Sequence, residues 1–248
     1  MTQPAVIEFE TPAGLVAAAR RDSAAVHRVG YLPQPWAWTP WEYATDGRFT
    51  GRWDDPDGVW RTLYCGATPL ACLLEVLAFA RPSPQVLAEL EDIAVDDEDA
   101  ELYPSAPPGQ LPSAWCHPRV LAYGTITGTY VLPGHLVTLA ALRTLFRRTA
   151  ITYGLDDLDG AAIRDGRPRA LTQAISRWIN TLTPSTEPVS GIEFDSRHGD
   201  GLTLWAVYER GGDPTISPHI VDLGHTTLTP DNADLTHAME LLNIVWSN

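Results

Sequence analysis

One carboxylate differs from everything around it in the sequence. Glu75 is the only charged residue in LACLLEVLAFA, residues 70–80, a stretch with helical spacing whose other side chains favour burial. An unpaired buried charge costs several kcal/mol, so this carboxylate must face solvent or meet a cation or hydrogen-bond donors. Glu75 is therefore a candidate catalytic acid at a cleft. The alternatives are a narrow exposed stripe shared with Ala71 and Cys72, or a structural ion pair.

Two arginines and a tyrosine could form a site with this carboxylate. Arg28 lies in the short predicted strand VHRVG, and Arg52 lies in FTGRW, beside a glycine and Trp53, which offers a stacking face. Tyr64, in TLYCG, ends the predicted strand that leads into the Glu75 helix. Each also has a plainer interpretation, because a strand arginine is often half-exposed and an isolated tyrosine is often part of the core.

The chain contains no lysine, since all 17 of its basic residues are arginine. This excludes chemistry that needs an amine, such as a Walker A lysine, a kinase lysine or a Schiff base. Biased coding is the simplest origin of the pattern, but the exclusion holds either way. Any phosphate held by a side-chain cation here must be held by the bidentate fork of an arginine.

Other groups of reactive residues in the sequence do not predict a catalytic or metal site. Ser196, His198 and Asp200 in GIEFDSRHGDG are neighbours on one extended segment, so they cannot align as a hydrolase triad, and we predict a polar hairpin end. The acidic run at residues 96–101 lacks the ligand spacing of a calcium loop and predicts a solvated loop. We find neither paired histidines with metal spacing nor a GxGxxG motif, so no metal site is predicted.

Composition and charge narrow the class of protein. The formal net charge of −14 and the pI near 4.7 argue against direct, sequence-independent binding to nucleic acid. Three cysteines without metal spacing suggest a reducing compartment. The sequence begins without the pattern of a signal peptide and has no apolar run long enough for a membrane span. We therefore expect a cytoplasmic protein that does not bind membranes, and we leave self-association open.

The elements that must position these residues alternate without a regular βαβ rhythm. We predict helices at 13–21, 68–80, 85–90, 136–150, 171–182 and 235–245, and strands at 26–29, 61–66, 92–95, 120–125, 129–132, 191–194 and 202–209. Residues 31–61, rich in Trp, Pro and Gly, predict a long ordered loop. This pattern favours an α+β fold with a mixed or antiparallel sheet and packed helices. We expect one domain over residues 1–248, with a core at about 26–210 and a C-terminal extension, 211–248, that ends in a helix.

Taken in order, the motifs resemble the RES-domain family of toxins from bacterial toxin–antitoxin pairs. The resemblance is carried by HRVG with Arg28, GRW with Arg52, LYCG with Tyr64, ACLLEV with Glu75 and the late GIEFDSR with Ser196. It implies a fold similar to ADP-ribosyltransferases, NAD as a substrate rather than a prosthetic group, and an Xre-type antitoxin as protein partner.

The resemblance also implies roles for particular residues. Glu75, Arg28 and Ser196 would be catalytic, and NAD would contact Arg28, Arg52, Tyr64, Trp53 and Thr172. The third family residue has two candidate positions, because RALTQ at 169–173, with Thr172 or Arg169, competes with Ser196.

Three functions follow as hypotheses. The first is an NAD-consuming toxin that cleaves the nicotinamide–ribose bond by hydrolysis or phosphorolysis. The second is a mono-ADP-ribosyltransferase with a macromolecular acceptor. The third is a non-catalytic binding module whose surface is formed by the tryptophan-rich loop.

Overall fold

The computed structural model describes residues 5–82 and 109–247, and it has the α+β fold expected from the sequence. Its strands are β1 (Val6–Thr11), β2 (Gly14–Tyr31), β3 (Thr62–Gly66), β4 (Gln110–Pro112), β5 (Arg119–Val131), β6 (Gly191–Asp195), β7 (Thr203–Tyr208), β8 (Ile220–Thr227) and β9 (Val245–Ser247). Its helices are α1 (Pro69–Leu77), α2 (Leu136–Thr152), α3 (Gly160–Asp165), α4 (Arg169–Asn180) and α5 (Ala233–Leu242).

Seven strands form the main sheet, in the order β1-β2-β3-β7-β6-β5-β8. An additional pairing of β2 with β5 closes five of them, β2, β3, β7, β6 and β5, into a ring. All pairings in this sheet are antiparallel except that of β5 with β6, so the predicted mixed sheet is confirmed. The ring brings Arg28 on β2, Tyr64 on β3 and the end of β6 into one region.

The helix predicted at 13–21 is wrong, because these residues belong to β2. Alanine favours helices, but Val16, Ala17, Ala18 and Ala19 are all fully buried between neighbouring elements. The strand pairs with β1 along one edge and with β5 along the other, and Ala17 N–H donates to Thr138 Oγ1 of α2 at 2.9 Å. Tertiary burial has overridden local propensity.

Most of the other predicted elements are confirmed. The strand before Glu75, the helices at α2, α4 and α5, and the β6–β7 hairpin all occur close to their predicted bounds. The two segments predicted at 120–125 and 129–132 are one strand, β5, which continues through Gly128. Strands β1 and β8 and helix α3 were not predicted. The predictions at 85–90, 92–95 and 96–101 lie outside the described residues.

Residues 211–247, within the predicted C-terminal extension, contact the main sheet and α1. Strand β8 pairs with β5 from Ile220 to Thr227, and α5 packs against α1. The apolar contact between the two helices includes Leu73 and Leu77 of α1 and Leu235 and Met239 of α5. Burial of this face of α1 turns the opposite face, which carries Glu75, away from α5.

We find that no helix of the described ranges is both long and apolar enough to cross a membrane.

Candidate active site

Glu75 lies at a cavity of about 300 Å³ that forms where α1, β2, β3 and the hairpin after β6 approach each other. Residues far apart in the sequence meet here, because the strand ring is closed. The ionisable side chains that line the cavity are Arg28, Arg52, Tyr64, Glu75, Arg169 and Arg197, together with two thiols. The structure therefore brings together five of the candidate site residues named from the sequence, Arg28, Arg52, Tyr64, Glu75 and Arg169.

A hydroxyl holds the Glu75 carboxylate in place. Ser196 Oγ donates to Glu75 Oε1 at 2.7 Å, and the same Ser196 Oγ accepts the backbone N–H of His198 at 3.0 Å. Ser196 is fully buried, and its own N–H donates to Leu202 O across the hairpin. The turn between β6 and β7 thus fixes the serine, and the serine fixes the acid. Of the two candidate positions for the third family residue, this is the one in contact with Glu75.

Helix α1 begins as its sequence predicts. Thr68 Oγ1 accepts the N–H of Ala71 at 3.1 Å, and Pro69 occupies the first turn. The buried face of the helix carries Leu73, Leu74 and Leu77, which leaves Glu75 partly exposed to the cavity. The position of the acid is therefore set by the helix cap and by the packing against α5.

Four arginines converge on the cavity, where Glu75 is the one lining carboxylate among the described residues. Burial lowers the pKa of Arg28 to about 10. Burial also lowers the pKa of Arg52, with the charges of Arg169 and Arg197 adding to the effect and that of Glu75 opposing it. In the part of the chain described, Arg28, Arg52 and Arg169 have no carboxylate within 4 Å, and Arg197 meets only Asp165, at 3.9 Å.

This arrangement argues against a structural ion pair between Arg28 and Glu75. Arg28 Nη1 donates to the backbone oxygen of Ala37 at 3.5 Å and not to a carboxylate. Arg52 Nη1 is buried and has no hydrogen-bond partner within the described ranges. Buried donors are nearly always paired in folded proteins, so the unpartnered Nη1 of Arg52 makes this cavity a candidate site for an anion.

The short loop that carries Arg52 is fixed by hydrogen bonds of its neighbours. Gly51 N–H donates to Asp54 Oδ2 at 2.5 Å, and the Tyr64 hydroxyl donates to Asp54 Oδ1 at 2.9 Å while accepting Trp53 N–H at 2.9 Å. A Cβ on Gly51 would lie 2.7 Å from that hydroxyl, so the loop requires glycine at this position. The Tyr64 ring lines the cavity, but its hydroxyl is committed to the loop.

The structure places two of the predicted NAD contacts, Trp53 and Thr172, outside the lining of the cavity. The Trp53 side chain is fully buried in the core, with its ring edge on Phe194, and does not line the cavity. Thr172 is also buried, and its hydroxyl donates to Arg169 O at 3.1 Å. The sequence analysis named Arg169 only as an alternative third family residue, and it did not single out Arg197 or Phe194, which also line the cavity. Only the neighbouring RALTQ and DSR motifs could have indicated the two arginines.

The surface expected of a tryptophan-rich binding module is also missing from the predicted loop. Trp36, Trp38 and Trp53 are 0%, 3% and 0% exposed. Trp41 is the exposed tryptophan of this loop, at 38%. The three buried indoles belong to the hydrophobic core and do not form a docking surface.

The two thiols at the cavity are not activated nucleophiles. All three cysteines are free and buried. Burial raises the pKa of Cys72 to about 12 and raises that of Cys65 further, so both stay protonated. Among the described residues, no group of three His, Cys, Asp or Glu side chains comes together as a metal site.

The comparisons with known proteins give one match. A family model described as RES domain matches residues 25–229, a span that includes Arg28, Arg52, Tyr64, Glu75 and Ser196. No curated protein and no solved structure gave a significant match. The expected similarity to the fold of ADP-ribosyltransferases therefore stays a prediction.

Proposed function

The chain belongs to the RES-domain family, known from toxin–antitoxin pairs, and we propose that it is an enzyme that cleaves the nicotinamide–ribose bond of NAD. One observation carries the proposal: Glu75, fixed by Ser196 at 2.7 Å, faces a cavity to which four arginines contribute. A negatively charged substrate with a sugar is the ligand class that this combination favours.

The arginines suit the pyrophosphate of a dinucleotide. Arg28 and Arg52 reach the cavity from β2 and from the loop before β3, and Arg52 Nη1 lacks a partner in the described part of the protein. Guanidinium groups bind phosphate oxygens through paired, charge-assisted hydrogen bonds, which are stronger than neutral ones. In a chain of net charge −14, the local excess of positive charge also attracts an anion to this cavity.

The carboxylate suits the cleavage step. As the bond from ribose C1′ to the nicotinamide nitrogen breaks, its electron pair stays on that nitrogen and neutralises the pyridinium. Positive charge then develops on the ribose, as in glycoside hydrolysis, and a carboxylate next to it stabilises the transition state. A preorganised group of this kind contributes about 3–4 kcal/mol. An oxygen of water or phosphate forms the new bond to C1′ and loses its proton.

Product analysis tests this activity. The purified chain is incubated with NAD labelled in the adenosine half, with and without phosphate. We expect free nicotinamide together with ADP-ribose or its 1-phosphate. Label on a macromolecule would instead favour the ADP-ribosyltransferase, and intact NAD after long incubation would refute the proposal.

We further propose that the chain acts as a toxin on the NAD pool of the cytoplasm and is silenced by an Xre-type antitoxin. Expression of the chain alone should then lower cellular NAD and stop growth, whereas expression of Glu75→Gln at the same level should do neither. Growth arrest with unchanged NAD would contradict this assignment.

A further inference from the structure

One buried carboxylate close to the Glu75 cavity has no role in the proposed cleavage. Asp54 is 6% exposed and does not line the cavity. Burial raises the pKa of Asp54, and the hydrogen bonds that it accepts oppose this shift. A buried carboxylate costs free energy unless donors satisfy it. A loop that keeps one therefore uses it to hold donors in place.

The donors that Asp54 holds lie on both sides of Arg52. Its Oδ2 accepts the N–H of Gly51 at 2.5 Å, and its Oδ1 accepts the hydroxyl of Tyr64 at 2.9 Å. That hydroxyl in turn accepts the N–H of Trp53 at 2.9 Å. An asparagine has one acceptor oxygen instead of two, so either the Gly51 N–H or the Tyr64 hydroxyl proton would lose its acceptor. The turn around Arg52 therefore depends on a carboxylate at this position.

The Arg52 side chain is enclosed on two further sides. Its Cζ lies 5.3 Å from the centroid of the Phe194 ring. Gly166, in the left-handed conformation at the end of α3, leaves room for it, because a Cβ there would lie 2.6 Å from Arg52 Nε. The ring and the glycine fit Arg52 only while its backbone stays where Asp54 holds it. Few rotamers are then open to this side chain, which is 6% exposed in total as a residue.

We propose that Asp54 is a positioning residue that orders Arg52 at the cavity before any substrate binds. A guanidinium fixed in advance loses less conformational entropy when it binds an anion, so preorganisation tightens binding. The gain is the same in the ground state and in the transition state, so Asp54 acts on the affinity for NAD and not on kcat. The effect on NAD rests on the proposed function, whereas the order of Arg52 in the free protein does not.

Nuclear magnetic resonance tests the inference without substrate. The Arg52 Nε–Hε signal is the arginine side-chain signal that disappears in Arg52→Ala, and nitrogen relaxation gives its order parameter. We expect a value close to that of rigid backbone, about 0.8, in wild type and a value below about 0.6 in Asp54→Asn. Equal values in wild type and Asp54→Asn would overturn the inference.

A neighbouring carboxylate provides the matched control, Asp55→Asn. Asp55 is 2% exposed and accepts the N–H of Asp57 at 3.2 Å and that of Val59 at 2.5 Å, further along the same loop. Urea denaturation should show a similar loss of stability in Asp54→Asn and Asp55→Asn, because each leaves a buried donor unpaired. Only Asp54→Asn should release Arg52. Release of Arg52 by both variants would mean that the loop responds to any loss of stability, and it would overturn the specific role of Asp54.

Helix α4 should keep the loop folded in these variants. Gln173 Nε2 donates to Gly51 O at 3.1 Å, and Ser176 Oγ donates to Trp53 O at 2.6 Å, and neither contact involves Asp54. If Asp54→Asn nevertheless fails to fold, Tyr64→Phe replaces it, since this change keeps the ring and removes only the linking hydroxyl. It should also lower the order parameter of Arg52, and an unchanged value would overturn the inference.

Kinetics and calorimetry then connect the order of Arg52 with NAD. Asp54→Asn should raise KM and Kd for NAD about five- to tenfold and change kcat less than about twofold, whereas Asp55→Asn should change neither. In the Arg52→Ala background, Asp54→Asn should raise KM by less than about twofold, because the residue through which it acts is gone. An undiminished increase in that background would overturn the inference. Release of Arg52 by Asp54→Asn in a protein that never cleaves NAD would contradict only the proposed function.

Discussion

The Glu75 carboxylate is oriented by a hydroxyl that is itself held by the backbone of a tight turn. Ser196 is buried, donates to Glu75 and accepts from His198 N–H, so its hydroxyl has one rotamer that satisfies both contacts. We infer that Ser196 acts as a positioning residue for the acid. This role needs no contact between the serine and the substrate.

Replacing Ser196 with alanine should slow the reaction more than it weakens binding. The change removes a hydrogen bond to a charged group, worth about 1.5–3 kcal/mol, which corresponds to a roughly tenfold to hundredfold loss of kcat. Steady-state kinetics with NAD measure kcat and KM separately. Ser23→Ala, at an exposed position of β2, is the matched control. An unchanged kcat for Ser196→Ala would remove the positioning role.

The sequence indicated some residues of the cavity and not others, for a physical reason. Glu75 was recognisable because a lone charge in an apolar helix needs an explanation within its own segment. Arg169 and Arg197 reach the cavity only because α4 and the β6–β7 hairpin pack beside α1, which no local pattern encodes. Trp53 follows Arg52, which lines the cavity, yet its own ring is buried in the core.

The position of Glu75 depends on how helix α1 is capped and packed. It starts at a threonine cap, packs through Leu73 and Leu77 against α5, and presents Glu75 on the remaining face. Its start was predictable, because Thr-Pro before an apolar run is a local signal. The strand at residues 14–21 was not, because its alanines favour a helix and only the pairing with β1 and β5 makes them extended.

The cap of α1 can be tested by Thr68→Ala. The change leaves the Ala71 N–H without its side-chain acceptor and should lower the free energy of unfolding by about 1 kcal/mol. Urea denaturation measures this loss. Thr144→Ala, which removes an exposed hydroxyl bonded to Ala140 O within α2, serves as the control and should change stability less. An equal effect of the two substitutions would mean that the cap does not stabilise α1.

Charge is unevenly distributed over the molecule as a whole. The net charge is −14, yet four of the 17 arginines line one small cavity. Composition alone argued against a broad basic surface, but it could not show where arginines cluster in the fold. The closed strand ring and the packing of α1, α4 and the hairpin create this cluster.

Stability of the whole chain should fall as pH is lowered from about 7.5 to about 5.5. Burial lowers the pKa of His27, His198 and His219 in the folded state. The unfolded chain therefore binds more protons as pH falls through the ordinary histidine range near 6.5, and protonation favours unfolding. The stabilising contribution is complete above this range and is lost progressively below it, toward the lowered pKa values.

Urea denaturation at several pH values measures this dependence. The double variant His27→Gln/His219→Gln should have a shallower fall in the free energy of unfolding than wild type. The control, His117→Gln/His225→Gln, removes two exposed histidines and should keep the wild-type slope. Identical slopes for all three proteins would contradict the role of these partly buried histidines.

The most direct test of the central claim compares nicotinamide release by Glu75→Gln with release by Glu42→Gln, which alters an exposed carboxylate. Glutamine keeps an acceptor for Ser196 but lacks the charge that stabilises the developing cation. We predict that Glu75→Gln binds NAD within a few-fold of wild type in calorimetry, yet releases nicotinamide about 100- to 1,000-fold more slowly. Glu42→Gln should match wild type. Wild-type release by a folded, NAD-binding Glu75→Gln protein would contradict the account.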